Sequence, residues 1–524
     1  MVDQPRQVGL PTKLYYGFGS AAYGIKDNGF AYFLLLYYNQ VLGLPAEWVG
    51  RAILIALVFD AISDPLVGHI SDNFHSRWGR RHPFMYAAAL PVGLSYLLIW
   101  NPPSGMSQEM LWYYLVGMAI FVRTMITLYE VPSTSLVPDL SDNYDERTSL
   151  LGYRYFFGWW GGLTIACLAY VIFFAPTEAY PNGFLNPEGW QAYGVVAAII
   201  MFVAILVSAI GTHDRIPHLK PPPPKKAFNL IRTVSEIKET VSNNSFLVLF
   251  VASIFFYLAA GVNAGLNTYF NFYYWEFTTT EVLILTLLVF FSAAIALILA
   301  PRVSARVGKK QAIMMIGTVA ISFAPLPYIA RSLNLWPDNN TDTLLIAMGA
   351  FTLFEVALII SVQILIASMV ADVVEESELK TSRRSEGVFY AARSFAQKCV
   401  SGLGIYFASI ILGLISFPEN AKPGEVDAAV IYNLGIVYAP MIFMLYLLGL
   451  SIITWYRIDR VGHQANLQRL SERTVAAAPL PAMAQSGGAK IAPQDAFTDS
   501  PPQEAIESDN AVPEAAPAPE KKDH

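Results

Sequence analysis

Charge is scarce in this 524-residue chain: Asp, Glu, Lys and Arg make up 14% of it, against about 25% in ordinary soluble domains. A soluble protein so short of charge could not cover its surface with polar groups, so the composition argues for a polytopic membrane protein. It argues against a secreted scaffold, a nucleic-acid binder or a disordered protein as whole-chain readings. Cysteine is nearly absent. Cys167 and Cys399 both lie in apolar stretches, so neither a disulfide framework nor a metal cluster is expected. The seven histidines are mostly in loops and give no metal-ligating pattern. No Walker loop, HExxH, nucleophile elbow or Rossmann fingerprint is present, which leaves an enzyme reading without residues and a cofactor without a site. The start of the sequence is not expected to act as a cleavable signal. Residues 1–13 are polar, and the first apolar run is long and carries a charged pair.

What the chain has is long apolar runs. Hydrophobic residues are 54% of it and the mean hydropathy is +0.42. A spanning helix needs about 20 mostly apolar residues. Twelve segments qualify: 14–41, 46–70, 83–101, 111–134, 148–175, 190–211, 244–275, 280–301, 310–330, 343–371, 387–416 and 430–457. The expected fold is an all-α membrane protein of twelve transmembrane helices. Residues 1–212 form an N-terminal six-helix bundle and 244–457 a C-terminal one. The polar stretch 213–243, with its run Pro221-Pro222-Pro223-Pro224-Lys225-Lys226, reads as a cytoplasmic linker with a short amphipathic helix. Residues 458–524 turn polar and then Ala/Pro-rich, and predict a disordered cytoplasmic tail. With both termini in the cytoplasm, the inner segments hold 23 Lys and Arg and the outer loops only Arg331 and Lys422, a strong orientation signal. The net charge of −6 looks acidic, but −5 of it lies beyond Arg473, so it describes the tail and not a substrate.

The two halves repeat. Gly68-His69-Ile70-Ser71-Asp72 through Arg77-Trp78-Gly79-Arg80-Arg81 follows the second segment, and Pro301 through Gly308-Lys309-Lys310 follows the eighth. Val137-Pro138-Asp139 follows the fourth and Val370-Ala371-Asp372 lies at the end of the tenth. Gly79 and Gly308 are 229 residues apart, Asp139 and Asp372 are 233. Two landmarks with nearly one period indicate two parallel six-helix repeats, as in carriers of the major facilitator type. Asp72, Arg77, Gly79, Arg80, Arg81, Asp139 and Asp372 read as a gating clamp at the cytoplasmic ends, with arginines meeting acids and helix-end dipoles.

A charge at mid-bilayer costs at least about 2.5–3.5 kcal/mol on insertion scales and persists only if paired or facing water. Lys26, Asp27, Asp60, Asp64, Arg123, Glu130, Arg154, Glu355 and Lys398 all fall at such depth. Asp60 and Asp64 are four apart and share a helix face. Two carboxylates so close repel, so either a cation sits between them or one is protonated; a structural network with a neighbouring Lys or Arg is the plainer alternative. Lys26 and Asp27 are adjacent and are expected to point to different sectors, Asp27 sharing a face with Tyr23. Arg123, Thr127, Glu130 and Thr134 form a polar stripe, and Asn263, Asn267 and Asn271 an amide stripe. Such amides bond polyhydroxylated ligands or glue helices together.

The run Tyr16-Gly17-Phe18-Gly19 with Lys26-Asp27, then Asp60-Ala61-Ile62-Ser63-Asp64-Pro65, then Arg77-Trp78-Gly79-Arg80-Arg81-His82-Pro83-Phe84, Val131-Pro132, Val370-Ala371-Asp372 and Gln397-Lys398, resembles the glycoside–pentoside–hexuronide:cation symporters of the major facilitator superfamily. The resemblance spans residues 12–457 with the motifs in order. It implies coupling-cation binding at Asp60 and Asp64, with Ser394 at a further cation-site position. It implies sugar binding at Lys26, Asp27 and Glu130, with Lys398 linking the two sites. Tyr23, Arg154 and Asn267 complete the expected substrate set. Glu130 stands where the family has Asp, Arg154 lies one residue early, Thr134 and Gln363 replace two tryptophans, and Ser63 replaces an Asn that helps select sodium. These departures leave the sugar open, and with it the choice of H+ or Na+ as coupling ion.

The expected function is therefore gradient-driven import of a sugar or glycoside by alternating access across the cell inner membrane, with a monovalent cation or proton as co-substrate. A carrier of lysolipids or other amphiphiles, and a non-transporting membrane sensor or receptor, are the rivals; an expected pairing of Glu130 with Arg154 favours a polar pocket over the apolar cleft that a lysolipid needs.

Overall fold

The computed structural model describes residues 8–472 apart from 142, 220–242, 382–385, 459–461, 463, 467, 470 and 471. Most of the expected linker with its amphipathic helix, and the tail beyond Glu472, lie outside the described residues. The described chain up to Glu472 is one compact unit.

Eleven helices are each long and apolar enough to cross a membrane. In the order of the expected spans they are α2 (Ala46–Asn73), α3 (His82–Trp100), α4 (Gln108–Thr134), α5 (Tyr144–Leu168), α6 (Pro187–Gly211), α7 (Asn244–Tyr269), α8 (Thr279–Val307), α9 (Lys309–Phe323, its span completed by Leu326–Ser332), α10 (Asp342–Thr381), α11 (Glu386–Leu414) and α12 (Ala428–Ile453). The first span, α1, runs from 10 to 41 in pieces. Leu10–Phe18 and Ser20–Asn28 are α-helical, a π turn covers Gly29–Phe33, Leu34–Leu36 is α-helical, and a second π turn covers Tyr37–Val41. The junction residues Gly19 and Leu34 keep right-handed helical dihedrals, so the path is one continuous helix. At 40 residues, α10 is about 60 Å long, twice the hydrocarbon core, and runs well past the membrane.

Polar side chains start several helices where apolar sequence begins. Ser107, Asn186, Asn243 and Asp427 each accept a backbone N–H of the following turn, and Thr278 with Glu281 forms a capping box on α8. The pairings repeat between halves: α1 packs on α5 as α7 does on α11, α2 on α4 as α8 on α10, and α3 on α6 as α9 on α12. Packing of α1 on α5 is close enough to exclude a methyl group. A Cβ at Gly24 would lie 1.7 Å from the Gly158 carbonyl oxygen, whereas one at Gly158 would meet nothing nearer than 3.6 Å. Gly24→Ala is therefore expected to lower stability by about 1–3 kcal/mol while Gly158→Ala is tolerated. Thermal unfolding of the two purified variants checks the contrast, and equal stability would refute it.

Between halves, α2 lies along α11. Their contacts run from Glu47 beside Gly413, through Gly50 beside Ser409 and Leu57 beside Gly402, to Asp64 and Lys398, 3.6 Å apart. Nearer the end that carries Gly79 and Gly308, Leu66 and Ile70 of α2 and Ser394 and Phe395 of α11 are exposed. At the opposite end the halves are tied by hydrogen bonds. Tyr269 donates to Asn39 Oδ1 (2.8 Å), Tyr273 to Gln40 Oε1 (3.1 Å), and Gln40 Nε2 to the Pro418 carbonyl (3.0 Å).

Candidate functional site

The intramembrane charges other than Glu355, which lies on α10 near Tyr328, Tyr438 and Tyr446, converge where the α2–α11 contact ends. Asp60 and Asp64 sit one turn apart on α2 and face α4. Arg123 Nη1 donates to Asp60 Oδ2 at 2.9 Å. The Thr127 hydroxyl lies 3.1 Å from Asp60 Oδ1 and 2.8 Å from Asp64 Oδ1. One turn further, Glu130 Oε2 accepts from Lys398 Nζ at 3.0 Å, and the same ammonium is 3.6 Å from Asp64 Oδ2. The polar stripe of α4 thus splits by depth: Arg123 and Thr127 serve the α2 acids, Glu130 reaches α11, and Thr134 folds back on the Glu130 carbonyl (2.8 Å).

Burial grades across this cluster. Asp60 and Arg123 are each only 7% exposed, while the Asp64 side chain is 21% and that of Lys398 25% exposed. An ion pair as buried as Asp60–Arg123 is far less screened than a surface pair, and breaking it leaves a lone charge in low dielectric.

α1 closes one side. Lys26 is buried and pairs with its neighbour Asp27. The expectation that the two point apart is corrected: their Cβ atoms diverge, but the four-carbon lysine stem curls back. Lys26 Nζ stands 4.7 Å from the Tyr23 ring centre, and Lys398 Nζ stands 5.6 Å from the same ring, so Tyr23 contributes cation–π attraction to both. Arg154 of α5 donates to Ser133 Oγ on α4 (2.9 Å). Its expected pairing with Glu130 is corrected too, because Lys398 is the direct partner of that acid. Asn267 is half-buried on α7 and accepts from Asn271 (3.0 Å). Ser394 is exposed one turn before Lys398, and among the described residues no hydrogen bond joins it to either α2 acid.

The basic loops hold a second, repeated arrangement. Gly79 and Gly308 both have positive φ, +72° and +87°, which a glycine adopts without a Cβ penalty. The cation after each turn reaches an acid just beyond α4 (Asp139) or in the last three turns of α10 (Asp372). Arg80 binds Asp139 with two bonds from Nη2, 2.7 and 3.0 Å, and Lys309 Nζ binds Asp372 at 2.5 Å. Arg81 adds Asp72 at 2.5 Å and Ser71 Oγ at 2.9 Å. Burial holds the Arg81 guanidinium below its ordinary pKa, with Asp72 opposing. Arg77 is exposed and lies over the Trp78 ring at 5.3 Å.

Sequence reasoning placed Arg123 and Thr127 on a stripe but assigned them no role at the α2 acids. It missed Asn39 and Gln40 altogether. The available signal was an amide pair at the end of an apolar run, which reads equally well as an interface residue pair.

The chain as a whole is similar to known carriers. An isoprimeverose transporter of Lactiplantibacillus pentosus is 26% identical, the match covering 82% of this chain and 85% of that one. The sodium-dependent lysophosphatidylcholine symporter 1 of Gallus gallus is 24% identical over 90% of each chain. A crystal structure of a D-xylose–proton symporter superposes with TM-score 0.59 at 16% identity, covering 86% of this chain and 98% of that one, and shows the shared fold. The family described as MFS/sugar transport protein matches residues 15–460, so this chain belongs to that family of major facilitator carriers and is a membrane transporter, not an enzyme.

Proposed function

We propose that the protein couples the inward movement of a sugar or glycoside to that of a cation or proton, by alternating access around the α1–α2–α4–α11 cluster. One observation carries the reading. Lys398, from the second half, is shared between Asp64 and Glu130, acids of the first half. A single ammonium thus links an ion-responsive carboxylate to the one that lines the substrate side. Neutralising Asp64 changes what Lys398 offers to Glu130, and the effect must be reciprocal. In this reading Asp60 and Asp64 take up the coupling ion. Lys26, Asp27, Tyr23, Glu130, Arg154 and Lys398 line the substrate pocket, with Asn267 at its α7 wall. Ser394 belongs to the passage from the basic-loop end. With the basic loops and both termini cytoplasmic, the exposed ends of α2 and α11 face the cell interior and the Asn39–Gln40 network closes the outside. The pairs Arg80–Asp139 and Lys309–Asp372 then hold each half rigid at its inner end. Residues 213–243 and 458–524 serve as cytoplasmic linker and tail in a plasma-membrane carrier.

A lysolipid substrate has the chicken relative in its favour, but the lining here is ionic: four cations and four acids lie on α1, α2, α4, α5 and α11. Counterflow in proteoliposomes separates the readings without needing any ion gradient. Isoprimeverose, xylosides, glucuronides and lysophosphatidylcholine are the probes. Saturable exchange of one of the sugars is expected. Exchange of lysophosphatidylcholine alone, or of nothing, would refute the sugar reading, the latter in favour of a sensor.

A further inference from the structure

We infer that Arg123 is a tethered counter-ion for Asp60 that makes the coupling ion a proton carried at Asp64 and excludes a metal cation. The inference rests on the ion-coupled reading above and deepens it. Three observations lead there.

The first is how Arg123 is held. Its Nη1 is 2.9 Å from Asp60 Oδ2, its Nε has no hydrogen-bond partner among the described residues, and its guanidinium lies over the Phe30 ring at 5.3 Å. No other acid shares it at ion-pair distance among the described residues, so its charge is committed to Asp60. A guanidinium is not deprotonated in proteins, so this neutralisation is permanent. A sodium ion entering between the α2 acids would have to displace a cation that is covalently attached to the protein.

The second is a count of hydrogens. The Thr127 hydroxyl is within hydrogen-bond distance of one oxygen of each acid, 3.1 and 2.8 Å, but it carries one hydrogen. Two acceptors therefore compete for one donor. A proton on Asp64 removes the deficit: the Asp64 O–H donates to Thr127 Oγ, and Thr127 donates to Asp60. One O–H bond forms on Asp64, no other covalent bond changes, and the hydrogen bonds re-order around Thr127; release reverses the step.

The third is the position of Lys398. It is 3.0 Å from Glu130 and 3.6 Å from Asp64. When Asp64 is neutral the ammonium keeps its nearer partner, so protonation strands no charge. The groups that face Asp64 are Asp60 of its own helix, Thr127 and Glu130 of α4, and Lys398 of α11. Arg123 and Cys399 complete the surroundings of the α2 pair.

Thermal unfolding of the full chain in detergent, without sugar, tests this. NaCl replaces choline chloride at constant ionic strength. The wild type and Arg123→Lys are expected to show no saturable response to Na+. Arg123→Ala frees Asp60, and Na+ should then raise its Tm saturably by about 2–4 °C, an effect lost in Arg123→Ala/Asp64→Asn. Saturable Na+ stabilisation of the wild type overturns the inference. So does a folded Arg123→Ala protein that ignores Na+. If Arg123→Ala does not fold, the wild type and Arg123→Lys still decide whether a metal ion binds. Sugar counterflow is independent of all these arms, so its failure would strike the symport reading alone.

Discussion

Asp64→Asn is expected to abolish uphill accumulation of substrate while leaving exchange measurable. Asparagine keeps the size of the side chain and its hydrogen bond to Thr127, but it cannot alternate between charged and neutral. An ion gradient drives a solute only through a difference in affinity between ion-loaded and ion-free protein. One charge moved through 100 mV supplies about 2.3 kcal/mol, which sustains roughly 50-fold accumulation. The variant should fall to a ratio of about 1. Uptake of labelled sugar into proteoliposomes under an imposed gradient, beside counterflow in the same preparation, measures both. Wild-type accumulation by Asp64→Asn would remove that residue from the coupling site.

The largest stability effect is expected at the deeper pair. Arg123→Leu or Asp60→Leu alone leaves one buried charge without its partner, and each should cost about 3–5 kcal/mol. The double substitution removes both charges and should recover most of that loss. It should not recover gradient-driven transport, because Thr127 and Asp64 then lack the acid opposite them. A double-mutant cycle on thermal stability, with uptake measured alongside, distinguishes the contributions. Equal losses that simply add would mean that the 2.9 Å contact contributes nothing.

Much of this architecture was legible in the residues. A bilayer admits apolar helices or closed barrels, so eleven spans fall where long apolar runs predicted them, with ends differing by at most seven residues except in α10, which runs ten further. The clamp was legible because it occurs twice: Gly79 and Gly308 mark the turns, and Asp139 and Asp372 mark the acids that the following cations reach. The charged cluster was legible as a set of residues that a membrane tolerates only in company. Its internal pairing was not. Spacing within a helix tells which side chains share a face, but not which face of another helix lies against it. Glu130 therefore looked like a partner for Arg154, when α11 brings Lys398 closer. Lys26 and Asp27 failed for another reason: a helical wheel tracks Cβ directions and ignores the reach of a long side chain.

The two π turns of α1 have a consequence for how this protein tolerates change. Each holds one residue more than an α-helical turn would, and one residue rotates everything after it by about 100°. A wheel drawn at a constant angle over 14–41 assigns the wrong side to every position beyond Phe33. Asn39 and Gln40 meet Tyr269 and Tyr273 only because the surplus residues are there. The number of residues between Asp27 and Gln40 is thus as much a determinant as their identity. A one-residue deletion that removed the first of these π turns would keep every amide and hydroxyl in the chain and turn Asn39 and Gln40 away from their partners.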